Sequence, residues 1–312
     1  MASDPAGGNN WWRLSLACPE ELEESLVWKL QTLGISRVAL QYPPEAPERR
    51  QLLAWLPEVD WPCDERQELA RALAPLAEPF GLVLPELEWR RQPDEDWSLS
   101  WKQHWQPDPV GARLLILPAW LEVPADQAGR LLIRMDPGSA FGTGSHPTTR
   151  LCLEALETLP LAGRRVVDLG CGSGVLGLAA LRLGAAAVLA ADIDPLAVRA
   201  TAGNAALNQL AGDGHIHGLA VLQGSLEELA EGLQGHPADL MLCNILAPVI
   251  EALCGGFTRL LAPNGVGLLS GLLVDQADDL AQALAERGWR AELTAQQDRW
   301  GLMTLRSQAV VP

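Results

Sequence analysis

The fold is decided by the stretch Asp168–Gly174, which reads DLGCGSG. It follows a short apolar run at residues 165–169 that is typical of a buried strand. Its glycines, Gly170 and Gly172 among them, let the backbone approach a ligand closely. Asp192 lies about twenty residues further on, at the end of the next predicted strand, which is the spacing of dinucleotide-binding motifs. The pattern therefore predicts an α/β fold with a small-molecule site at the carboxyl ends of its strands.

The chain after residue 150 continues this alternation of strands and helices. Helical patterns separate most of the strands, which predicts a doubly wound parallel sheet. Two closely spaced final strands are expected at 289–294 and 302–306. The earlier strands are predicted at 165–169, 187–191, 219–222, 239–243 and 265–269.

The region before residue 93 predicts a smaller α+β domain. Strands are expected at 11–17 and 36–41, around a helix over 19–33 that ends at Gly34. Two further helical patterns follow a proline-rich stretch, and the apolar run at 80–84 is interpreted as a strand.

Three segments follow from these patterns: an N-terminal domain at 1–92, a linker helix with lead-in strands at 93–130, and the main domain at 131–312. The acidic and proline-containing stretch 93–96 marks the boundary. Tryptophans at 97, 101 and 105 would share one face of the linker helix. Apolar runs at 114–117 and 131–135 predict a lead-in hairpin.

A second loop motif occupies residues 136–149, which read DPGSAFGTGSHPTT. Its glycines and prolines exclude an ordinary helix or central strand. Apolar residues recur at helical spacing from Arg150 onward, so the loop ends at a helix N-terminus, a position that favours ligand binding. His146 is its one imidazole, and either orients the loop or acts as a general base.

The net charge and the residue composition limit the kinds of molecule that the protein is expected to bind. A formal net charge of −16 disfavours nucleic acid and suits a basic protein or another cationic substrate. The sequence has no apolar run of membrane-spanning length and no signal pattern. Its six cysteines form no C-x-x-C pair, and its histidines have no ligand-like spacing, so we expect free thiols, no metal and a cytoplasmic protein.

The glycine loop leaves two cofactors open. A nicotinamide dinucleotide fits the glycine spacing, but Asp168 would lie close to its pyrophosphate, where like charge is unfavourable. S-adenosylmethionine has a cationic amino-acid tail for Asp168 and a ribose diol for Asp192. Asp194 precedes Pro195 and is therefore predicted to cap a helix rather than bind a ligand.

Asn244 ends the predicted strand at 239–243, and its amide would stand where a cofactor's reactive end must lie. The alternative is an asparagine that only turns the chain out of the strand. Enzymes that methylate glutamine or adenine carry Asn-Pro-Pro-Tyr at this place, which offers a ring face to a planar group. Ile245 and Leu246 offer none, so an aliphatic amine is the favoured acceptor.

These motifs together resemble the PrmA family, methyltransferases of large-subunit ribosomal protein eleven. Ser145 replaces the threonine usual in that family, and Pro248-Val249 follow where many relatives have another short turn. The resemblance covers residues 97–306 best. It rests on Asp136-Pro137-Gly138, Phe141 to Gly144, His146 to Thr149, Asp168 to Gly174, Asp192-Ile193-Asp194, Asn244 to Ala247, and Trp101-Lys102 with His104-Trp105.

The resemblance implies a Class I (Rossmann-like) methyltransferase sheet with a ferredoxin-like N-terminal domain that recognises the ribosomal protein. It implies S-adenosyl-L-methionine as the cofactor and lysine amines as acceptors, with the N-terminal amine as a further candidate acceptor. We also expect a monomer. Asn244 and His146 are the candidate catalytic residues. The implied cofactor contacts are Thr149, Gly170, Asp192 and Asn244, with Phe141 and Thr148 as further loop candidates and Gly172 from the glycine motif.

Three alternatives stay open at this point. The first is a methyltransferase of another protein or of a small-molecule amine. The second is an NAD-binding oxidoreductase, which the glycine spacing alone permits. The third is a non-catalytic module that binds the cofactor as a sensor, although the complete motif at 141–149 argues against it.

Overall fold

The computed structural model describes residues 11–35, 37–41, 50–92, 105–136 and 146–308. The chain divides into two compact units, Met1–Gln106 and Pro107–Pro312. The predicted boundary at 93–96, the tryptophans at 97 and 101, and Phe141 lie outside the described residues. Among the helices that are described, none combines the length and apolar character needed to cross a membrane.

The first unit has the β-α-β-β-α-β order of a ferredoxin-like fold. Its antiparallel sheet has the order β2-β3-β1-β4. Leucines from the strands and from one face of the first helix form its core. The elements are β1 (Trp11–Ala17), α1 (Glu23–Thr32), β2 (Val38–Gln41), β3 (Gln51–Pro57), α2 (Cys63–Leu73) and β4 (Glu88–Gln92).

One strand of this unit was not predicted, and one predicted strand is wrong. Before α2 the chain forms the unpredicted strand β3, whose apolar run 52–56 is buried throughout and carries no alternation that would identify its period. The run at 80–84 is not a strand, although Leu82 and Leu84 pack against the core. The fourth strand is the polar β4 at the edge of the sheet. None of its residues is fully buried, so its sequence carries no apolar pattern that would identify a strand.

A three-stranded sheet opens the second unit, made of β5 (Asp108–Val110), β6 (Leu114–Pro118) and β7 (Leu131–Met135). β5 and β6 are antiparallel, but β6 and β7 are parallel. The predicted hairpin of β6 and β7 is therefore wrong. The intervening residues 119–130 are numerous enough to carry the chain back to the start of a parallel neighbour.

The main sheet has the order β10-β9-β8-β11-β12-β14-β13. Strands β8 to β12 pair in parallel, whereas β14 pairs antiparallel with both β12 and β13. The doubly wound fold and all seven predicted strands are confirmed. β12 is longer than predicted. The strands are β8 (Arg165–Leu169), β9 (Ala187–Asp192), β10 (Gly218–Gln223), β11 (Ala238–Asn244), β12 (Leu261–Leu273), β13 (Trp289–Gln297) and β14 (Trp300–Ser307).

The order of this sheet reverses between β8 and β11, and ligands of such sheets bind at the carboxyl ends of the strands beside that reversal. The helix after the motif at 136–149 begins at Pro147, three residues before the predicted start. The helices are α3 (Pro147–Thr158), α4 (Val175–Arg182), α5 (Pro195–Leu207), α6 (Leu226–Gly232), α7 (Ala247–Leu253) and α8 (Ala277–Ala285).

Candidate functional site

The glycine loop between β8 and α4 packs so closely that side chains would not fit. Gly170 has φ +74°, and a Cβ there would lie 2.4 Å from Cγ2 of Ile245. Gly174 has φ +80°, and a Cβ there would lie 2.8 Å from Cγ2 of Thr201. Both the backbone conformation and the space therefore require glycine. The bare backbone of this loop faces the reversal in the sheet.

Asp192 ends β9 and holds the glycine loop. Its Oδ2 accepts a hydrogen bond from Gly172 N at 2.9 Å, and its Oδ1 accepts one from Asp194 N at 3.0 Å. The carboxyl is half-buried, and burial raises its pKa while these hydrogen bonds oppose that rise. Each oxygen has a second lone pair. The carboxylate can therefore fix the loop and still accept hydrogen bonds from a ligand.

Asp194 has the separate role that the sequence predicted. Its Oδ1 accepts a hydrogen bond from Leu196 N at 2.8 Å, and it is the N-cap of α5 with Pro195 at the first helical position. The prediction of a helix cap is confirmed.

Asp168 lies beneath the same loop and is 1% exposed. Its Oδ2 accepts a hydrogen bond from Gly177 N at 3.1 Å, in the first turn of α4. Burial raises its pKa to about 7, the hydrogen bond from Gly177 opposes this, and the charge of Asp192 adds to it. A cation bound nearby would lower that pKa.

His146 is the N-cap of α3. Its Nδ1 accepts a hydrogen bond from Thr148 N at 3.3 Å and lies 2.8 Å from Thr148 Oγ1. The ring is 4% exposed and meets Trp300 edge to face, with 4.8 Å between ring centroids. The imidazole is thus an internal part of the helix start. The observed contacts are those of a helix cap, and the catalytic role of His146 stays a prediction.

Asn244 connects the end of β11 to the start of α3. Its Nδ2 donates a hydrogen bond to Oγ1 of the buried Thr149 at 3.3 Å. The next residue, Ile245, is the one that closes against Gly170. The structure therefore brings Asn244, Thr149 and the glycine loop together, although 95 residues separate the first two in sequence.

Seven of the predicted site residues thus belong to one region at the carboxyl ends of β8, β9 and β11 and the start of α3. Phe141 lies outside the described residues. The grouped residues are His146, Thr148, Thr149, Gly170, Gly172, Asp192 and Asn244.

Two apolar residues beside these strand ends were not predicted as site residues. Ile193 follows Asp192 and is 75% exposed, and Leu246 is two residues after Asn244 and is 54% exposed. Large aliphatic side chains directly after a polar strand end are the signal that could have found them. They give the edge of the sheet apolar surface next to its carboxylate and amide groups.

Helix α5 supports the glycine loop from behind, which the sequence reasoning also missed. Thr201 Oγ1 donates a hydrogen bond to Gly172 O at 2.9 Å, and Asn204 Nδ2 donates one to Ser173 O at 3.0 Å. Cys171 Sγ lies 3.3 Å from Thr201 Oγ1, and burial raises the pKa of its thiol. The thiol of Cys171 is therefore packed between the glycine loop and α5. Polar residues three apart on the helix after Asp194 were the available signal.

The first unit carries a groove of about 650 Å³. It lies between α2 and the segment 82–89, and Val83 on its wall is 88% exposed. Arg66 in the same groove stacks over Trp12, with its guanidinium carbon 4.1 Å from the ring centroid. The lining residues are Cys63, Arg66, Gln67, Ala70, Ala74, Leu82, Val83, Leu84, Pro85, Glu86, Leu87 and Trp89.

Comparison with known proteins gives one consistent answer. The family model of PrmA, described as ribosomal protein L11 methyltransferase, matches residues 10–308. A ribosomal protein L11 methyltransferase of Synechococcus sp. (strain RCC307) is 63% identical over 95% of this chain and 97% of its own length. The protein of that name from Parasynechococcus marenigrum (strain WH8102) is 65% identical over 93% and 99%.

A solved structure agrees with them. The crystal structure of ribosomal protein L11 methylase from Lactobacillus delbrueckii subsp. bulgaricus is 32% identical, with a TM-score of 0.56. The match covers 65% of this chain and all of that one. With the family model spanning nearly the whole chain and relatives above 60% identity at almost full length, this chain belongs to the ribosomal protein L11 methyltransferase family.

Proposed function

We propose that this methyltransferase transfers methyl groups from S-adenosylmethionine to amine nitrogens of ribosomal protein L11, above all to lysine side chains. The acceptor is the one in the names of its relatives. The cofactor is argued from the charges around the glycine loop, and the amine from the residues after β11.

One observation carries the choice of cofactor: two carboxylates flank the glycine loop. Asp168 lies beneath it and Asp192 beside it, close enough for the charge of Asp192 to raise the pKa of Asp168. A pyrophosphate would bring further negative charge to this place, which is unfavourable. A sulfonium and an ammonium group would bring positive charge. The arrangement therefore favours S-adenosylmethionine over a nicotinamide dinucleotide.

The same strand ends offer contacts for the rest of that cofactor. Asp192 retains lone pairs for the two hydroxyls of the ribose, and the exposed Ile193 offers an apolar surface for one face of the adenine. The backbone at Gly170 can approach the amino-acid tail without a side chain in the way. When bound, S-adenosylmethionine supplies a methyl group on a positively charged sulfur.

Asn244 is placed to orient the acceptor amine. Its Nδ2 is engaged with Thr149, so its Oδ1 is the atom that can accept a hydrogen bond from an amine N–H. The exposed Leu246 provides apolar surface for the methylene groups of a lysine. Together they hold an aliphatic amine in line with the methyl group, and such alignment supplies a large share of the rate.

The amine must be neutral before its lone pair can attack, and a free lysine has a pKa of about 10.4. Desolvation of the amine at the site favours its neutral form, and its proton leaves to solvent before the transfer. His146 has its Nδ1 engaged with Thr148 and is assigned to orient the loop rather than to act as the base. With S-adenosylmethionine held at the glycine loop, such an amine would accept the methyl group, and the positive charge would pass from the sulfur to the nitrogen.

We assign the recognition of the ribosomal protein to the first unit. No cofactor motif lies in it, and its groove combines apolar walls with one acidic and one basic side chain, Glu86 and Arg66. The chain is acidic, with a net charge of −16, which suits a basic partner. The occupant that we infer for this groove is ribosomal protein L11.

The proposal is tested with the purified chain and labelled S-adenosylmethionine. We expect methyl transfer to purified ribosomal protein L11, on lysine residues that mass spectrometry locates. S-adenosylmethionine and its demethylated product should raise the melting temperature, since both bind the folded state. Stabilisation by NAD and by neither of these would overturn the cofactor assignment. Transfer to ribosomal RNA instead of protein would overturn the acceptor.

A further inference from the structure

Asn204 joins two parts of the site that are distant in sequence. It lies on α5 and is 1% exposed. Its Nδ2 donates a hydrogen bond to Ser173 O in the glycine loop at 3.0 Å. Its Oδ1 accepts one from Asp136 N at 3.0 Å, directly after the end of β7. Asp136 is the first residue of the motif at 136–149, so a single amide bonds both loop motifs of the site.

The chemistry of the side chain suits this bridging position. One end of an amide only donates and the other only accepts, so asparagine can satisfy a carbonyl and an N–H on opposite sides at once. A buried asparagine costs free energy unless both ends are bonded, and here both ends are bonded. An aliphatic residue would remove both hydrogen bonds at once, so it would lower stability and also break the link between the two loops.

Asn208, the C-cap of α5 four residues further on, is a natural comparison. It is also buried, and it also bonds the end of β7: Oδ1 accepts from Arg134 N at 2.8 Å and Nδ2 donates to Arg134 O at 2.6 Å. Its second Nδ2 bond goes to Asn204 O within the helix. No hydrogen bond of its side chain reaches the glycine loop among those of the described residues. Both asparagines thus bond the backbone at the end of β7, but only Asn204 also bonds the glycine loop.

We propose that Asn204 is a positioning residue for methyl transfer: it sets the distance between the glycine loop and the start of the motif at 136–149. The inference rests on the proposed function, in which the glycine loop holds S-adenosylmethionine. Without Asn204 the Ser173 carbonyl would lose this hydrogen bond, and binding would have to order the loop as well as make contacts. The start of the second motif would lose its hydrogen bond to α5, which links it to the glycine loop.

The test compares Asn204→Ala with Asn208→Ala in the full chain. We measure the melting temperature, the Kd of S-adenosylmethionine by calorimetry, and kcat and KM on ribosomal protein L11. Both variants should melt at lower temperature. Asn204→Ala should raise the Kd about tenfold or more and lower kcat, whereas Asn208→Ala should keep the Kd within twofold of the unsubstituted chain.

Two results would overturn the role. One is a folded Asn204→Ala protein with an unchanged Kd and kcat, and the other is an equal rise in Kd for both variants. If Asn204→Ala does not fold, hydrogen exchange on the unsubstituted chain decides. S-adenosylmethionine should slow exchange of the Asp136 amide together with the glycine loop, and slowing of the loop alone would refute the coupling. Failure of the unsubstituted chain to bind S-adenosylmethionine would instead overturn the proposed function, and this inference with it.

Discussion

The two units of this chain differ in where they bury polar side chains. The core of the first unit is largely aliphatic, and its buried polar residues Ser15, Glu23 and Gln31 lie on β1 and α1. The second unit gathers its buried polar residues around the strand ends that form the candidate site. They include His146, Thr148, Thr149, Asp168, Ser173, Thr201 and Asn204. Since each costs free energy unless it is bonded, their concentration marks the place where geometry matters more than stability.

The largest expected effect is the difference in stability loss between alanine substitutions at a crowded glycine and at an open one. Gly170→Ala adds a Cβ 2.4 Å from Ile245 at φ +74°, whereas Gly34→Ala in the first unit has φ +83° and no heavy atom within 4 Å. The left-handed backbone alone should cost about 1–2 kcal/mol at either site. Crowding should add roughly 1–3 kcal/mol at Gly170 only. Urea unfolding measures both losses, and equal losses would contradict the close packing of the loop.

A second comparison assigns different roles to two carboxylates that are two residues apart, Asp192 and Asp194. Asp192→Ala should weaken S-adenosylmethionine binding by roughly 1.5–3 kcal/mol, the range for hydrogen bonds to a charged group. Asp194→Ala should lower stability by about 1 kcal/mol as a lost helix cap and leave the affinity nearly unchanged. Calorimetry gives the Kd and urea unfolding gives the stability. If the effects of the two variants are reversed, the assignment of the strand end is wrong.

Asp168 makes the stability of the second unit depend on pH. Burial raises its pKa to about 7 from 3.8, so the folded state holds a proton that the unfolded chain releases near pH 4. The contribution of this carboxyl to stability is therefore present below about pH 4 and lost as the pH rises through 7. Asp168→Asn keeps an oxygen for Gly177 N but cannot ionise. It should gain stability relative to the parent at pH 8 and little at pH 4, as followed by thermal unfolding.

The opposite pH dependence of stability would contradict this interpretation of Asp168. An advantage of Asp168→Asn that grows as the pH falls would mean that the carboxylate is stabilised by folding. Asp213 is a control at the surface, because three backbone N–H groups lower its pKa to about 2. Asp213→Asn should lose stability near neutral pH, not gain it.

The sequence predicted the second unit better than the first, for a physical reason. Strands of a parallel sheet are buried on both faces and appear as apolar runs between helices, as β8 and β9 do. In the first unit the uniformly buried β3 gave no period and the polar β4 gave no apolar run. Local patterns could not decide either strand, since β3 pairs with β1 and β2 from other parts of the chain.

The candidate site shows the same limit at the level of residues. Strand ends and glycines are local features, so Asp192, Asn244 and Gly170 could be chosen from the sequence. The bridging role of Asn204 depends on hydrogen bonds to residues 31 and 68 positions away. No local pattern contains such a relation. Side chains that position a site from behind are therefore the part that only the folded chain reveals.

The smallest expected effect concerns the groove of the first unit. Val83 and Val59 are exposed valines of that unit, at 88% and 83%, but only Val83 lines the groove. Val83→Lys places a positive charge where we infer that a basic ribosomal protein docks, and should raise the KM for ribosomal protein L11 roughly three- to tenfold, about 1 kcal/mol. Val59→Lys should leave that KM unchanged, and neither variant should alter the Kd of S-adenosylmethionine.

Steady-state kinetics at several salt concentrations separates charge repulsion, which salt screens, from lost apolar contact, which salt does not screen. An equal rise in KM for both variants would make the effect one of overall charge, and no rise for either would place the ribosomal protein elsewhere than in this groove.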